Sequence, residues 1–107
     1  MKIEIKNKRV LVLGLGETGL SVLRWLNKKG AILSVADSRD SPPNVDSLKQ
    51  EMPSVVVHKG AFNKDVLLQA EVIVISPGIA LAESAVQTAI QAGIPVIGDV
   101  ELFAQHR

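Results

Sequence analysis

Three short segments of the chain carry residues whose types and spacing suit a phosphorylated ligand. The first is Gly-Leu-Gly-Glu-Thr-Gly at residues 14–19, the second is Asp-Ser-Arg at 37–39, and the third is Ser-Pro-Gly at 76–78. Each segment follows an apolar run that predicts a β-strand. In an open parallel α/β sheet, ligands bind beyond the carboxyl ends of the strands. The three segments together therefore predict one nucleotide-binding pocket.

The first segment has the spacing G-x-G-x-x-G between a predicted strand and a predicted helix. Gly14 allows a tight turn, Gly16 leaves room for a diphosphate beside the backbone, and Gly19 lets the helix pack against the strand. We expect the N–H groups of Glu17 and Thr18 at the helix start to bind the anion. The Glu17 carboxylate would repel a diphosphate, so its side chain is expected to point to solvent. The alternative is a glycine turn that serves helix packing alone.

The second segment ends the second predicted strand. Asp37 stands 18 residues beyond Gly19, close to the roughly 20 at which dinucleotide-binding domains carry an acidic residue that accepts hydrogen bonds from ribose. Ser38 offers a hydroxyl to a base edge, and the Arg39 guanidinium suits stacking on a base or attraction of phosphate. The alternative is structural, with Asp37 capping the junction between strand and loop and Arg39 as its ion-pair partner.

The third segment consists of Ser76, Pro77 and Gly78 and ends the fourth predicted strand. Pro77 fixes one backbone angle, and Gly78 allows a positive φ or a close approach. The Ser76 hydroxyl is then expected to point into the crevice. Taken alone, these residues suit an ordinary turn, but their position opposite the glycine segment favours a role in ligand binding.

The remaining polar residues indicate no catalytic residue and no metal site in this chain. Asp99 and Glu101 stand at a predicted helix start, where the helix dipole favours acidic residues. There is no cysteine, and His58 and His106 have no partner at ligand spacing. No Ser/His/Asp triad and no phosphate loop of the type G-x-x-x-x-G-K-[ST] is present in the sequence.

Strand and helix patterns alternate along the whole chain. The predicted strands are 9–13, 31–36, 54–58, 71–75 and 94–97, and the predicted helices are 17–29, 45–51, 63–70, 81–92 and 99–105. Residues 38–44 contain two prolines and are predicted to form a loop. Alternation with short connections predicts a Rossmann-like α/β fold, a doubly wound five-stranded parallel sheet in the order 3-2-1-4-5. This order brings the three segments to one edge of the sheet.

Length and composition limit the possible functions further. The 107 residues are 47% hydrophobic and 3% aromatic, which predicts one domain, at 1–107, with a core of Val, Ile, Leu and Ala. The net charge is +1 and the basic residues are scattered, so nucleic acid is not an expected partner. No apolar run approaches the roughly 20 residues that span a bilayer. We therefore expect no membrane association and a cytoplasmic location.

Four stretches of the chain resemble, in order, the amino-terminal domain of the Mur ligases, and within that family the MurD type. They are VLVLGLGETGLS, ADSR with PP close behind, ISPGI and IGDVELF. The resemblance covers about Lys8 to Phe103. The ISPGI and GDVELF stretches are more diagnostic than the glycines, which many nucleotide-binding folds share.

The resemblance implies that the domain holds the uridine diphosphate end of UDP-N-acetylmuramoyl-L-alanine and does not bind NAD. Matching positions place the diphosphate at the backbone of Glu17 and Thr18. They place the uracil and ribose at residues 37–39, with residues 76–78 closing the pocket. Glu17 departs from the apolar residue expected there, which affects the role of its side chain but not of its N–H group.

The resemblance also implies the reaction of a longer enzyme, the ATP-dependent addition of D-glutamate to that substrate in peptidoglycan synthesis. ATP and magnesium are then expected in a central domain, and the amino-acid site involves a third domain. Neither domain is part of these 107 residues. The chain is therefore expected to be an excised domain that has the rest of its own chain as a partner and catalyses nothing alone.

Two other functions stay open on the residues alone. One is a dinucleotide-binding domain of an oxidoreductase, in which Asp37 would hold the adenosine ribose. The other is a stand-alone module that senses a nucleotide. The mechanics of the motifs slightly favour the dinucleotide, whereas the lack of a sixth predicted strand and the ISPGI and GDVELF stretches favour the uridine nucleotide.

Overall fold

The computed structural model describes residues 2–106, in which strands and helices alternate along the chain. Each helix follows a strand, and each of the first four helices leads back to the start of the next strand. The strands are β1 (Arg9–Leu13), β2 (Ile32–Asp37), β3 (Val56–Lys59), β4 (Val72–Ile75) and β5 (Val96–Gly98), and the helices are α1 (Glu17–Lys28), α2 (Val45–Glu51), α3 (Lys64–Leu68), α4 (Ser84–Gln91) and α5 (Asp99–Gln105). No helix within residues 2–106 is long and apolar enough to cross a membrane.

The five strands form one parallel sheet in the order β3-β2-β1-β4-β5, which confirms the predicted fold. The central strand β1 pairs with β2 on one side and with β4 on the other. Its ladder continues past the strand end, because the Gly14 N–H donates to the Ala36 carbonyl at 2.8 Å and the Ser76 N–H donates to the Leu13 carbonyl at 3.1 Å. The three predicted segments therefore start side by side at the carboxyl edge.

The strand β1 is buried on both faces because helices cover both sides of the sheet. Val10 and Val12 pack into a core with residues of α1, α2 and α5. Leu11 and Leu13 point to the opposite face and pack with residues of α3 and α4. This arrangement explains the continuous apolar run of the strand, since a parallel sheet leaves neither face to solvent.

The predicted bounds of β2 and β3 were wrong at both ends. The strand β2 runs from Ile32 to Asp37, because the Ala31 N–H donates to Leu26 at the end of α1 and Asp37 pairs with β3. The strand β3 begins two residues later than predicted and ends one residue later. The Val55 N–H closes a turn onto the Met52 carbonyl at 3.1 Å, which delays the strand.

The predicted bounds were also wrong around α4 and β5. The helix α4 begins at Ser84 because residues 81–83 form a turn, and Gln87 Nε2 donates to the Leu81 carbonyl of that turn at 2.7 Å. The strand β5 begins at Val96, since the Ile94 N–H is still bonded to the end of α4. Smaller differences affect α1, α3 and β4, whereas β1, α2 and α5 have their predicted bounds.

Candidate functional site

A cleft of about 470 Å³ opens at the carboxyl ends of β1, β2 and β4. It lies where the strand order reverses, between β1 and β4. The structure brings all the sequence-predicted site residues to its lining, together with Ile79, which was not predicted: Gly14, Gly16, Glu17, Thr18, Gly19, Asp37, Ser38, Arg39, Ser76, Pro77, Gly78 and Ile79. The expected convergence of three segments at one edge is therefore confirmed as geometry.

Two glycines of the first segment are required by the backbone itself. Gly14 has a φ of +98°, in the left-handed region that side chains disfavour. A Cβ built on Gly19 would lie 2.0 Å from the Gly14 carbonyl oxygen, which no rearrangement of a side chain relieves. The start of α1 therefore approaches the end of β1 as closely as two backbones allow, as the sequence predicted.

Gly16 has a different role from its two neighbours in the motif. It is the N-cap of α1 in an extended conformation, and a Cβ built on it meets no described atom within 4 Å. Its missing side chain leaves open space at the cleft rather than room for packing. Gly16 thus sits where a ligand has close access to the backbone.

The first turn of α1 presents N–H groups at the cleft. The Leu20 N–H donates to the Gly16 carbonyl at 3.0 Å, and the N–H groups of the three preceding residues have no partner within the helix by its geometry. No side chain among residues 2–106 caps this helix by a hydrogen bond. The positive end of the dipole of this 12-residue helix therefore faces the cleft, with the exposed Glu17 at its rim.

Asp37 is buried at the end of β2, with 2% of its surface exposed. Its Oδ2 accepts hydrogen bonds from the Leu15 N–H at 2.8 Å and from Arg39 Nη2 at 2.6 Å. Its Oδ1 accepts from the Arg39 N–H and from Arg39 Nε, both at 2.9 Å. These four bonds occupy the lone pairs that a carboxylate offers.

These contacts keep Asp37 ionised. The hydrogen bonds from the Arg39 side chain, followed by those from the backbone of Arg39 and Leu15, lower the pKa of Asp37 to about 2, against the opposing effect of burial. The structural alternative that the sequence left open is therefore realised, with Asp37 at the strand–loop junction and Arg39 as its partner. A direct contact of Asp37 with a ligand stays a prediction.

Arg39 and Ser38 lie at the mouth of the cleft. The Arg39 side chain is 54% exposed although its guanidinium is fixed in a bidentate pair with Asp37. The neighbouring Ser38 is exposed. The pair thus holds a planar cation in one orientation at the cleft, a geometry suited to stacking on a ring or to binding an anion.

The third segment closes the cleft from the side of β4. Gly78 has a φ of +103°, as the sequence allowed, and Pro77 is exposed beside it. The Ser76 hydroxyl lies against the glycine turn, 3.1 Å from the position of a Cβ built on Gly14. The β4 loop and the glycine turn are therefore in direct contact.

Sequence reasoning missed two residues that shape this site from outside the cleft. The buried Leu15 has its N–H held by Asp37, and its carbonyl accepts a hydrogen bond from Asn44 Nδ2 at 3.1 Å. Asn44 lies 29 residues away along the chain. The positive φ of Asn44, 66°, fits the residue type, but no local pattern indicates its partner.

The other polar candidates lie apart from the cleft. Asp99 and Glu101 occupy the first turn of α5, as the sequence predicted. His106 contacts the Ile3 carbonyl at 3.0 Å and packs edge-on against Trp25. Within residues 2–106, no group of three or more His, Cys, Asp or Glu side chains has the arrangement of a metal site.

The sheet order, the glycine turn and the cleft at the switch point define a Rossmann-like α/β domain. Residues 8–98 match the family model described as Mur ligase MurD-like, N-terminal domain. The match covers most of the chain, so the chain belongs to this family, in agreement with the resemblance drawn from its motifs.

The chain is similar to part of much longer curated proteins. It is 57% identical over 105 residues to the UDP-N-acetylmuramoylalanine–D-glutamate ligase of Methylobacillus flagellatus, a match that covers 98% of this chain and 23% of the relative. The chain therefore spans less than a quarter of the length of that ligase.

Solved structures share the fold at low sequence identity. A pseudomurein peptide ligase type C from Methanothermus fervidus superimposes with a TM-score of 0.76 at 22% identity, over 94% of this chain and 21% of that one. A shikimate dehydrogenase from Aquifex aeolicus gives a TM-score of 0.63 at 18% identity, over 94% of this chain and 45% of that one. At such identities the likeness shows the fold alone.

Proposed function

We propose that this chain is the uridine-diphosphate-binding domain of a ligase that adds D-glutamate to UDP-N-acetylmuramoyl-L-alanine in peptidoglycan synthesis. The observation that carries the proposal is the family match over residues 8–98. The relative that is 57% identical has this activity in its name, and this chain corresponds to 23% of its length. We therefore assign ATP and Mg²⁺, and with them the ADP-forming chemistry, to other domains of the complete protein.

Within the cleft, the diphosphate is assigned to the glycine turn. The N–H groups of Glu17 and Thr18 point out of the first turn of α1, and Gly16 leaves open space beside them. The helix dipole stabilises the negative charge at this position. The Glu17 carboxylate is exposed, so solvent screens its repulsion of the phosphates.

The uracil and ribose are assigned to the mouth of the cleft. Asp37 fixes the guanidinium of Arg39 through two hydrogen bonds, and the Arg39 side chain stays half-exposed, so a base can stack on it. Ser38 offers its hydroxyl beside it. Ser76, Pro77 and Gly78 then close the pocket from the opposite side.

The occupied carboxylate of Asp37 counts against the dinucleotide alternative. A dinucleotide-binding domain uses this carboxylate to accept hydrogen bonds from the adenosine ribose. In this chain a ribose would have to displace the Arg39 guanidinium first, because all four acceptor positions carry donors. The proposal therefore predicts binding of UDP in preference to NADH.

A titration of the ¹⁵N-labelled chain tests this proposal. UDP is expected to shift the backbone amides of Gly16, Thr18 and Ser38, whereas NADH at the same concentration is expected to leave them in place. Shifts with NADH and none with UDP would contradict the proposal. Ligase activity is tested separately, as D-glutamate-dependent formation of ADP by the complete protein in the presence of UDP-N-acetylmuramoyl-L-alanine.

Gly16 and Gly98 provide a matched pair of variants for that titration. Both glycines cap a helix in an extended conformation, and a Cβ on either meets no described atom within 4 Å. Only Gly16 lines the cleft. Gly16→Val is expected to abolish UDP binding with the fold intact, and Gly98→Val is expected to leave binding unchanged.

A further inference from the structure

The loop that joins β2 to α2 is tied at both ends to the same residue of the glycine turn. Asp37, at the start of the loop, accepts a hydrogen bond from the Leu15 N–H at 2.8 Å. Asn44, at its end, donates from Nδ2 to the Leu15 carbonyl at 3.1 Å. Since the Leu15 side chain is fully buried, the peptide groups on both sides of Leu15 are held in place.

An asparagine at the start of a helix usually caps that helix with its side chain, but Asn44 instead bonds to the Leu15 carbonyl. It is the N-cap of α2, yet among residues 2–106 its side chain makes no capping hydrogen bond. Asn63, the N-cap of α3, does cap its helix by accepting from the N–H groups of Asp65 at 2.8 Å and Val66 at 3.4 Å. The amide of Asn44 therefore serves the glycine turn and not its own helix.

The bond from Asn44 sets the direction of a neighbouring N–H group. The Leu15 carbonyl and the Gly16 N–H belong to one trans peptide unit, so they point in opposite directions. Asn44 is not part of the cleft lining, whereas Gly16 is. Holding the carbonyl toward Asn44 thus turns the Gly16 N–H away from Asn44 and polarises it as a donor.

We propose that Asn44 is a positioning residue for the phosphate half of the cleft, acting through the peptide group between Leu15 and Gly16. This inference rests on the proposed function, since it takes the diphosphate to bind at the glycine turn. It predicts that Asn44 affects the binding of phosphate groups and not the binding of the nucleoside.

The test compares Asn44→Gly with Asn63→Gly. Glycine keeps the positive φ that position 44 requires and removes the side chain together with its amide donor. Inorganic pyrophosphate, UDP and uridine are titrated into each chain. Asn44→Gly is expected to weaken the binding of pyrophosphate and of UDP about fivefold, which corresponds to the loss of one hydrogen bond. The affinity for uridine is expected to stay unchanged. Asn63→Gly is expected to leave all three affinities unchanged, although it removes a helix cap.

A second variant separates the side-chain donor from the side-chain size. Asn44→Asp keeps the shape but places a carboxylate against the Leu15 carbonyl, where it has no proton to donate at neutral pH. Asn44→Asp is expected to weaken the binding of pyrophosphate and of UDP by more than Asn44→Gly does. UDP affinity equal to wild type in Asn44→Asp would overturn the proposal.

The ligand-free chain supplies a readout that does not depend on the proposed function. In Asn44→Gly, the carbonyl ¹³C resonance of Leu15 and the amide ¹⁵N resonance of Gly16 are expected to move. Unchanged resonances, or equal losses of uridine and pyrophosphate affinity, would overturn the proposal. A wild-type chain that binds neither UDP nor pyrophosphate would overturn the proposed function and the phosphate role of Asn44 together, and the two resonances would still report whether Asn44 holds this peptide group.

Discussion

The two edges of the sheet carry the same arrangement, a carboxylate that binds a backbone N–H near one end of β1 and also pairs with an arginine. The two carboxylates differ in their burial. At the carboxyl edge, Asp37 accepts a hydrogen bond from the Leu15 N–H just beyond β1 and pairs with the guanidinium of Arg39. At the amino edge, Glu71 accepts from the Arg9 N–H at the start of β1 at 3.0 Å and pairs with the guanidinium of the same residue at 3.4 Å. Each carboxylate thus accepts a backbone N–H at one end of the central strand and also pairs with a guanidinium.

The difference between the two carboxylates is burial. The Asp37 side chain is 3% exposed, while the Glu71 side chain is 33% exposed. The hydrogen bond from the Arg9 N–H is the main cause that lowers the pKa of Glu71. The hydrogen bonds from the Arg39 side chain and from the backbone lower the pKa of Asp37 to about 2. Solvent screens the exposed group, so we expect it to contribute little to stability. The buried group instead fixes the backbone of the candidate site.

The largest expected difference in stability between the edges concerns two glycines, Gly19 in the first turn of α1 and Gly30 just beyond its last turn. Gly19→Ala is expected to lower the free energy of unfolding by on the order of 3 kcal/mol or more, because the new Cβ overlaps the Gly14 carbonyl. Gly30→Ala, at the amino edge, has Lys6 Cγ at 3.4 Å as its nearest neighbour and costs about 1 kcal/mol for its positive φ. Urea denaturation measures the free energy of unfolding of both variants. Equal losses of that free energy would show that the two edges do not differ in this respect.

The next effect concerns Asp37 itself. Asp37→Asn is expected to lower the free energy of unfolding by about 2 kcal/mol, because the neutral amide no longer accepts a charge-assisted pair from Arg39. Amide hydrogen exchange of Leu15 is expected to accelerate in the same variant, since its acceptor is weakened. Unchanged exchange at Leu15 would show that Asp37 does not hold the glycine turn.

Acid is expected to remove the same stabilisation. The folded pKa of Asp37 lies near 2 and the ordinary value is 3.8, so its contribution is complete above about pH 4 and is lost as the pH falls through 2. The loss amounts to about 2 kcal/mol. Urea denaturation of wild type and Asp37→Asn between pH 6 and pH 2 checks this, because the difference in their free energies of unfolding should become smaller in acid. A difference that stays constant over this range would contradict the assigned pKa.

The smallest effect is expected at the amino edge. Glu71→Gln removes a charge from an exposed pair with Arg9 and Lys8, and the amide oxygen still accepts from the Arg9 N–H. We expect no resolvable change in the urea midpoint at neutral pH. A loss as large as that of Asp37→Asn would show that burial is not what separates the two edges.

The fold was predictable from the sequence because its signals are local. The apolar run of β1, the glycine turn and the amphipathic pattern of α1 each lie within a few residues, and alternation with short connections leaves few possible sheet orders. The element ends were less predictable. The starts of β3 and α4 depend on hydrogen bonds in the turns that precede them, such as that from the Gln87 side chain to the Leu81 carbonyl, which no periodicity indicates.

The sequence by itself determined which residues lie at the cleft, because residues that follow parallel strands share one edge of the sheet whatever their side chains do. Only the tertiary structure decided how Asp37 and Asn44 are used. Both reach Leu15 across 22 and 29 residues, and such contacts depend on how strand, loop and helix pack in space. A hydrogen bond between distant residues leaves no periodic trace in a single sequence, so the hold on Leu15 became visible only in three dimensions.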